Sequence, residues 1–221
     1  MSSLLTDVVA WSVFAYFLGA VPIGVTIGLL RGVDLRAVGS GNIGATNAVR
    51  ALGRGWGLVV FLLDVFKAGL PVWLAGQQWA LGTLTEPGVE LGVVAFFAFI
   101  GHIFPVYLRF RGGKGVACAL GVFLVLDPAP ALMGLFLYVQ TVVLTRVSAV
   151  ASLTGATVMA IGVLISDVNM VCKVLVLALS GTVWLRHASN LKEIIARAKA
   201  SKRDWAARAG SLESEVGGGG R

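Results

Sequence analysis

The sequence predicts an all-α integral membrane protein, because of its composition and the length of its apolar segments. Of the 221 residues, 57% are hydrophobic and only 13% are charged, and the mean hydropathy is +0.87. These values lie outside the range of soluble domains. A bilayer core about 30 Å thick requires roughly 20 apolar residues per helix, and segments of that length recur along the chain.

Five apolar segments are long enough to cross a bilayer. They cover about 8–30, 56–76, 89–108, 149–166 and 168–185. Two shorter runs, 115–126 and 131–145, are separated by an Asp-Pro-Ala-Pro sequence that breaks helices. The short runs form either two short helices or one re-entrant hairpin, so the total is seven spans or five. We predict a helical bundle of seven spans, five long and two short.

The first segment, 8–30, is predicted to be a retained span rather than a cleaved signal peptide. No Lys/Arg-rich leader precedes it, Asp7 stands there instead, and the segment is too long for a signal-peptide core.

The basic residues predict the orientation of the chain. With the amino terminus outside, one side of the membrane receives Arg31, Arg36, Arg50, Arg54, Arg109, Arg111, Lys114, Arg146, Arg186 and the basic tail. The other side receives only acids: Asp7, Glu86, Glu90, Asp127 and Asp167. Lys and Arg near span ends are retained in the cytoplasm. The net charge of +7 therefore reports topology and does not indicate a nucleic-acid partner.

The chain is predicted to consist of one transmembrane domain, residues 1–187, and a cytoplasmic basic tail, residues 188–221. The first half of the tail is expected to lie on the membrane surface. The last ten or so residues, which end in four glycines and an arginine, have a composition typical of disorder.

A few polar and sulfur-containing residues lie within the predicted spans. Asp64 and Lys67 are spaced to form an ion pair on one helix face. His102 is expected to be a hydrogen-bonded core residue at a helix kink. Cys118 and Cys172 are expected to be buried and unpaired, without metal-ligand spacing, so no metal site is predicted.

The first cytoplasmic loop, residues 39–50, has the composition of an anion-binding loop. Glycines let the backbone approach a ligand, small polar side chains add donors, and an arginine supplies charge. Its G-x-G-x-x-G pattern follows an apolar helix rather than a strand, which excludes a dinucleotide-binding fold. The alternative is a flexible connector. The candidate phosphate-binding residues are Ser40, Gly41, Asn42, Gly44, Thr46, Asn47 and Arg50.

The second cytoplasmic loop, residues 109–115, carries Gly112, Gly113 and Lys114 just before an apolar segment. Free backbone N–H groups, a helix dipole and an ammonium group together predict a phosphate-binding site. The loop lacks the spacing of a Walker A motif. The alternative is a basic cluster that only sets topology, which suits Arg109 and Arg111 better than Lys114.

Two further cytoplasmic patches are candidates. The segment 145–152 contains Arg146 and the candidate Ser152, although a topogenic arginine and packing serines would explain it equally well. His187 and Asn190 follow the last span and share a helix face, so both are able to contact one ligand.

These motifs resemble those of the bacterial acyl-phosphate-dependent, polytopic glycerol-3-phosphate acyltransferases. The family's Gly-Ser-Gly-Asn-x-Gly-Ala-Thr-Asn pattern, with an Arg three positions later, is matched by 39–47 and Arg50. Its Gly-His-x-Phe-Pro and Gly-Gly-Lys-Gly-Val-Ala patterns are matched by 101–105 and 112–117. His187 and Asn190 match its third pattern, although Ser189 and Glu193 depart from the Glu and Arg expected there.

The resemblance implies transfer of a fatty acyl group from acyl phosphate to the 1-hydroxyl of glycerol 3-phosphate, giving lysophosphatidic acid and phosphate. It implies His187, Lys114 and Arg50 as catalytic residues, no cofactor, and membrane lipids as surroundings. It also implies the bacterial cytoplasmic (inner) membrane and a functional link to the enzyme that makes acyl phosphate. Because acyl phosphate is already activated, positioning and electrostatics are expected to dominate, and the general base is either a substrate phosphate or His187.

Two other functions compete with this one. A small transporter of phosphorylated metabolites would use the cationic loops as an entry funnel, but transporters place binding groups near the bilayer midplane. A membrane scaffold that docks on anionic lipid would explain the tail and leave the glycine loops without a role.

Overall fold

The computed structural model describes residues 2–81 and 88–217, with side chains described at 4–78 and 88–205. The described residues form helices and loops without a strand. The α-helices are α1 (Ser2–Ala20), α2 (Ile23–Leu30), α3 (Ala45–Leu52), α4 (Arg54–Leu81), α5 (Val89–Ile103), α6 (Val116–Leu126), α7 (Pro128–Thr145), α8 (Ser148–Ile165) and α9 (Met170–Gly217). A 3₁₀ turn, Val106–Leu108, lies between α5 and α6.

Among the described residues, six helical segments are long and apolar enough to cross a membrane. They are Leu4–Leu30, Arg54–Gln78, Val89–Leu108, Pro128–Thr145, Ser148–Ile165 and Met170–Trp205. The shorter apolar helix is α6. The all-α fold class is therefore confirmed, whereas the number of spans stays a prediction: we predicted five long segments and two short ones, and six of the described helical segments reach spanning length while one is shorter. Helix α7 starts at Pro128 rather than near residue 131, because proline is favourable in the first turn of a helix.

The first span is interrupted, whereas the sequence predicted one continuous segment. Helix α1 ends at Ala20 and α2 begins at Ile23, with Pro22 between them. Proline has no N–H group to continue the helical hydrogen bonds, so the chain turns at this point. The resulting α1–α2 joint, residues 21–22, leaves α2 free to pack beside the loop that follows it.

The break predicted around residues 127–130 is confirmed, since α6 ends at Leu126 and α7 begins at Pro128. Helices α7 and α8 then form a tight hairpin. A methyl group at Gly134 would lie 2.7 Å from the carbonyl oxygen of Gly155, and one at Gly155 would lie 2.8 Å from that of Gly134. The two backbones touch here because neither residue has a side chain.

Small and aliphatic side chains fill the interior of the bundle, as expected for helices that pack in a membrane. Val60, Val94, Phe99 and Val122 are completely buried. Large apolar side chains also cover the outer surface, with Leu144 and Ile165 each 80% exposed. A surface of this kind suits lipid tails rather than water. Cys118 and Cys172 are buried and unpaired, as predicted.

Helix α9 is longer than the span predicted at 168–185, since it continues to Gly217. Ala, Lys, Arg and Glu dominate its later turns, and all four favour helix. An ion pair between Arg197 and Glu193 stabilises one of these turns. Residues 1–185 and 186–221 form separate compact units. The predicted boundary after residue 187 and the predicted disorder of the tail stay predictions, and residues 218–221 lie outside the described residues.

Candidate functional site

The first loop is organised around the buried side chain of Asn47, which lies in the first turn of α3 and is 1% exposed. Its Nδ2 donates hydrogen bonds to the carbonyl oxygens of Leu35 at 2.8 Å and Val38 at 3.0 Å. Its Oδ1 accepts a hydrogen bond from the Ser40 N–H at 3.0 Å. One amide side chain thus satisfies three backbone groups of the preceding loop and sets its path.

Two more features shape the same loop. Gly39 and Gly41 have φ of 58° and 67°, which favours glycine at both positions. A methyl group at Gly39 would also overlap with Asn47 Oδ1. Asn42 Oδ1 accepts a hydrogen bond from the Gly44 N–H at 2.9 Å, just before α3 begins. The predicted alternative of a flexible connector therefore does not fit this loop.

A small apolar cluster attaches the loop to the bundle. Leu35, Ala48 and Val60 are fully buried, and they pack with Ile27, which is 9% exposed. Near the start of the loop, the Arg31 guanidinium lies 5.2 Å from the centre of the Trp56 ring, a cation–π contact between the end of α2 and the start of α4.

An exposed ion pair lies in the turn between α2 and the first loop. Arg36 donates hydrogen bonds from its side chain and its backbone N–H to the Asp34 carboxylate, with the shortest at 2.8 Å. The side-chain hydrogen bond from Arg36 is the main reason that the pKa of Asp34 falls from 3.8 to about 2. The carboxylate is therefore ionised under all physiological conditions.

The first loop also contacts the candidate segment 145–152 at the start of α8. Thr46 Oγ1 and Ser148 Oγ are 2.8 Å apart, although 102 positions separate them in sequence. Ser148 Oγ is in turn 3.5 Å from the Tyr138 hydroxyl. These hydroxyls connect α3 to α7 and α8, and the structure thereby brings Thr46 to the segment 145–152. Ser152 is buried one turn further along α8.

The second loop reverses the chain between α5 and α6 by a tight backbone turn. Arg109 and Phe110 have φ of 51° and 63°, the left-handed region that non-glycine residues seldom adopt. The Phe110 N–H donates to the carbonyl oxygen of Pro105 at 2.9 Å. On the other side, the Tyr16 hydroxyl donates to the carbonyl oxygen of Phe104 at 2.9 Å, which attaches the turn to α1.

Gly112 and Gly113 pack directly on His102. The Gly113 N–H donates to the His102 carbonyl oxygen at 3.1 Å. A methyl group at Gly113 would overlap with His102 Nε2, and one at Gly112 would overlap with the His102 carbonyl oxygen. Lys114, which follows, is half-buried. Helix α6 begins at Val116, with Gly115 at its N-cap in the left-handed conformation at φ 83°.

His102 belongs to a buried polar cluster with Asp64 and Lys67, all of them at most 4% exposed. Lys67 Nζ lies 2.8 Å from Asp64 Oδ1 and 3.1 Å from His102 Nδ1. The contact with Oδ1 is an ion pair without the alignment of a hydrogen bond. Lys67 Nζ also donates to the Val21 carbonyl oxygen at 2.7 Å. The ion pair and the hydrogen-bonded core histidine are confirmed, but His102 lies at the end of α5, which stops at Ile103, rather than at a kink within a continuing helix.

This cluster offers ligand atoms for a metal ion, because those of Asp64, His102 and Cys118 lie within 4.8 Å of one another. The ammonium of Lys67 already stands between two of them, at 2.8 Å and 3.1 Å. The Cys118 thiol donates to the backbone carbonyl oxygen of Asp64 at 3.4 Å. The carboxylate is therefore balanced by a lysine, and the arrangement does not favour a cation there.

The remaining candidates are placed as follows. Arg50 is exposed on the last turn of α3. His187 is buried and Asn190 half-buried on α9, three positions apart as predicted. The meeting of Arg50, Lys114 and His187 around one ligand stays a prediction.

Sequence reasoning missed two contributors to the site. It named Asn47 as a candidate ligand-binding residue, which stays a prediction, but did not anticipate that the amide of Asn47 binds loop backbone. It paired Lys67 with Asp64 but did not connect either to His102, which is 35 positions away from Lys67. A usable signal existed, because a lysine, an aspartate and a histidine within apolar spans require partners in one another.

Comparison with known proteins identifies the family. The family model described as glycerol-3-phosphate acyltransferase matches residues 9–197. A glycerol-3-phosphate acyltransferase of an Anaeromyxobacter species is 42% identical over 186 residues, which cover 81% of this chain and 89% of the relative. One from Thermus thermophilus is 48% identical over 141 residues, covering 64% of this chain and 68% of the relative.

Two crystal structures of PlsY (YgiH), an integral membrane glycerol 3-phosphate acyltransferase, have the same fold. The glycerol 3-phosphate form has a TM-score of 0.80 and 32% identity, and covers 86% of this chain and 92% of PlsY. The lysophosphatidic acid form has a TM-score of 0.78 and 30% identity over the same shares. The six long apolar segments and this similarity make the protein an integral membrane protein. The chain belongs to the glycerol-3-phosphate acyltransferase family.

Proposed function

We propose that this protein transfers a fatty acyl group from acyl phosphate to the 1-hydroxyl of glycerol 3-phosphate. The products are lysophosphatidic acid and inorganic phosphate. The observation that carries the proposal is the ordered, glycine-rich first loop around Asn47 in a chain whose family is the glycerol-3-phosphate acyltransferases. The two PlsY structures are a glycerol 3-phosphate form and a lysophosphatidic acid form, and these compounds are one substrate and one product of this reaction.

The two loops suit two phosphate-bearing substrates. In the first loop, Ser40 and Gly41 are exposed and Arg50 follows on α3. In the second, Gly112 and Gly113 precede the half-buried Lys114. Backbone N–H groups, a bidentate guanidinium and an ammonium are the groups that bind phosphate in proteins. We assign Arg50, Lys114 and His187 to charge stabilisation, with Ser40, Asn42, Thr46, Ser152 and Asn190 as neutral contacts. Asn47 shapes the loop from within.

The chemistry requires little beyond positioning. The 1-hydroxyl oxygen attacks the acyl carbonyl carbon, the bond from that carbon to the phosphate oxygen breaks, and phosphate leaves as a stable anion. The hydroxyl proton goes to a phosphate oxygen of a substrate, or alternatively to His187. Cationic groups that hold both phosphates stabilise the negative charge as it moves from the carbonyl oxygen to the leaving group.

We place the protein in the bacterial cytoplasmic membrane, with the amino terminus outside and the carboxyl terminus in the cytoplasm. The lopsided distribution of Lys and Arg among the loops supports this orientation. The soluble substrate then reaches the site from the cytoplasm while the acyl chain stays in the bilayer. A cytoplasmic enzyme that makes acyl phosphate must supply the donor. Single-cysteine labelling at the exposed residues 40 and 111 with a membrane-impermeant reagent tests the orientation, because both must react from the cytoplasmic side.

The direct test uses purified protein in detergent or lipid with acyl phosphate and glycerol 3-phosphate, and follows release of phosphate. Release that requires both substrates supports the proposal. Acyl-CoA of the same chain length is the matched donor control, and we expect no transfer from it. Transfer from acyl-CoA alone would overturn the choice of donor. Absence of phosphate release by folded protein would overturn the activity itself.

The role of His187 has its own test. We expect His187→Ala to lose less activity than Arg50→Ala or Lys114→Ala if a substrate phosphate is the base. Complete loss of chemistry in His187→Ala, with both substrates still bound, would instead assign the proton to His187. The pH profile of the remaining activity separates the two, because removal of a titrating base changes its shape.

A further inference from the structure

The buried cluster of Asp64, Lys67 and His102 takes no part in the proposed chemistry, and yet the family's two best-matched loops both rest on it. All three residues lie within helices α4 and α5, well inside apolar spans. Two opposite charges in such surroundings are costly unless geometry and further hydrogen bonds compensate them. The contacts of this cluster show which parts of the chain it holds in place.

The first contact supports the second loop. Lys67 Nζ lies 3.1 Å from His102 Nδ1, and since an ammonium only donates, Nδ1 is the acceptor of this hydrogen bond. That fixes the orientation of the imidazole. The edge with Nε2 lies against Gly113, where there is no room for a methyl group, and the Gly113 N–H binds the His102 carbonyl oxygen at 3.1 Å. The position of Lys114 next in the chain therefore follows from the orientation of His102.

The second contact supports the first loop. Lys67 Nζ donates to the Val21 carbonyl oxygen at 2.7 Å. Val21 lies at the α1–α2 joint, where the helix has ended and its last carbonyl groups need donors. Helix α2 starts two residues later and packs on the loop without intervening side chains. A methyl group at Gly24 would overlap with the Ile43 carbonyl oxygen, and one at Gly28 would lie 2.5 Å from that of Val33.

We infer that Lys67 is a positioning residue for both phosphate-binding loops. Its ammonium, balanced by Asp64, joins the α1–α2 joint to His102, and these are the two supports on which residues 39–44 and 112–114 rest. Asp64 contributes the neutralising charge, and His102 transmits the position of the ammonium to the second loop. The inference deepens the proposed function and rests on it, since the loops matter to catalysis only if they hold the substrates.

The test removes the ammonium of Lys67 and measures amide exchange in the two loops. In Lys67→Met the carboxylate of Asp64 stays buried without a counter-charge, so Asp64→Asn/Lys67→Met is the companion variant that removes both charges. The matched control is Lys173→Met, which removes a lysine within a different apolar span; Lys173 is half-buried on α9. Hydrogen–deuterium exchange is measured on the intact protein in detergent, together with kcat and KM for glycerol 3-phosphate.

We expect faster amide exchange in segments 39–44 and 112–115 of both Lys67 variants, with exchange in the α7–α8 hairpin unchanged. We expect kcat/KM to fall about 100-fold, the usual result of a displaced binding group. Lys173→Met should match the wild type in both measurements. Uniformly faster exchange in all helices, or loops and kinetics like those of the wild type, would overturn the inference.

Two other outcomes are decisive as well. If neither Lys67 variant folds, the cluster serves the whole bundle and the specific role in the loops is wrong. If the wild-type protein has no acyltransferase activity, the proposed function fails, while the exchange measurement still decides whether Lys67 holds both loops.

Discussion

The two glycine-rich loops differ in what holds them in place. The first loop is held directly from within, because Asn47 and Asn42, which belong to the same stretch of chain, bind its backbone, and it also packs on α2 through Gly24 and Ile43. The second loop is held from outside, because Gly112 and Gly113 lie flat on His102, a residue of α5 whose own orientation depends on α4. Two loops of similar composition are thus stabilised differently, the first mainly by side-chain hydrogen bonds of its own residues and the second by packing on a neighbouring helix.

The difference teaches where each loop is vulnerable. The first loop is damaged most directly by changes to its own polar side chains, whereas a change at Lys67 reaches it only through the α1–α2 joint and α2. An externally supported loop tolerates changes of its exposed side chains but not added volume on the supported side. Substitutions that respect or violate this distinction therefore test it, and they are ordered below by the size of the expected effect.

The largest effect is expected for Gly113→Ala. The new methyl group would overlap with His102 Nε2, and the imidazole cannot move away because Lys67 holds it. We expect the second loop to shift and kcat/KM for glycerol 3-phosphate to fall about 100-fold or more. Gly55→Ala is the matched control, because no atom lies within 4 Å of the added methyl group there. Near-normal kinetics of folded Gly113→Ala would mean that the second loop does not depend on its support.

The next effect separates Asn47 from Asn42. Asn47→Ala removes three hydrogen bonds and leaves the Leu35 carbonyl oxygen and the Ser40 N–H without these partners, while the Val38 carbonyl oxygen keeps the Gly41 N–H; Asn42→Ala removes one hydrogen bond, to the Gly44 N–H. Each unsatisfied buried group costs about 1–3 kcal/mol, so we expect Asn47→Ala to lose about 10- to 100-fold in kcat/KM and Asn42→Ala clearly less. Steady-state kinetics and thermal melting in detergent measure both. The reverse order would contradict the view that the loop is held from within.

A smaller effect is expected where the first loop meets α8. Ser148→Ala removes the hydroxyl that lies 2.8 Å from Thr46 Oγ1. One neutral hydrogen bond contributes about 0.5–1.5 kcal/mol, and we expect a loss of stability of that size with a modest loss of activity. A double-mutant cycle with Thr46→Val isolates the pair. A coupling free energy near zero would show that the first loop needs no contact with α8.

The smallest effect concerns the exposed Asp34–Arg36 pair. Because the pKa of Asp34 is depressed to about 2, its contribution to stability is fully present above its ordinary value of 3.8 and is lost as the pH falls towards about 2. Solvent screens the pair, so Arg36→Ala should barely change the melting temperature at neutral pH. The difference between wild type and variant should vanish in acid. A difference that grows in acid would reverse the assigned sign.

The sequence predicted the parts of this structure that depend on local pattern. Apolar length predicted the spans, and the Asp-Pro-Ala-Pro break between α6 and α7 was found because proline acts within one turn. The Asp64–Lys67 pair was also predictable, since residues three apart share a helix face. Pro22 is a helix-breaking residue of the same kind, but the interruption there was not predicted because the residues on both sides of it are apolar and look like one continuous span.

The parts that escaped prediction depend on contacts between distant positions. Lys67 Nζ reaches Val21, 46 positions away, and Thr46 reaches Ser148, 102 positions away. No periodicity in one sequence encodes such pairs. The inward role of Asn47 escaped for a different reason, because an asparagine that binds its own loop and one that binds a ligand look alike in sequence. The glycines of the second loop were likewise assigned to a ligand before His102 was known to lie behind them.

The close crossing of α7 and α8 depends on the absence of side chains at Gly134 and Gly155. Backbone meets backbone there, so dispersion forces act at close range, and the contact between these two glycines involves neither charge nor a side-chain hydrogen bond. Such a contact is indifferent to salt and to acidity, unlike the ionic cluster in α4 and α5. This crossing point should therefore keep its geometry under conditions that disturb the electrostatics of the neighbouring helices.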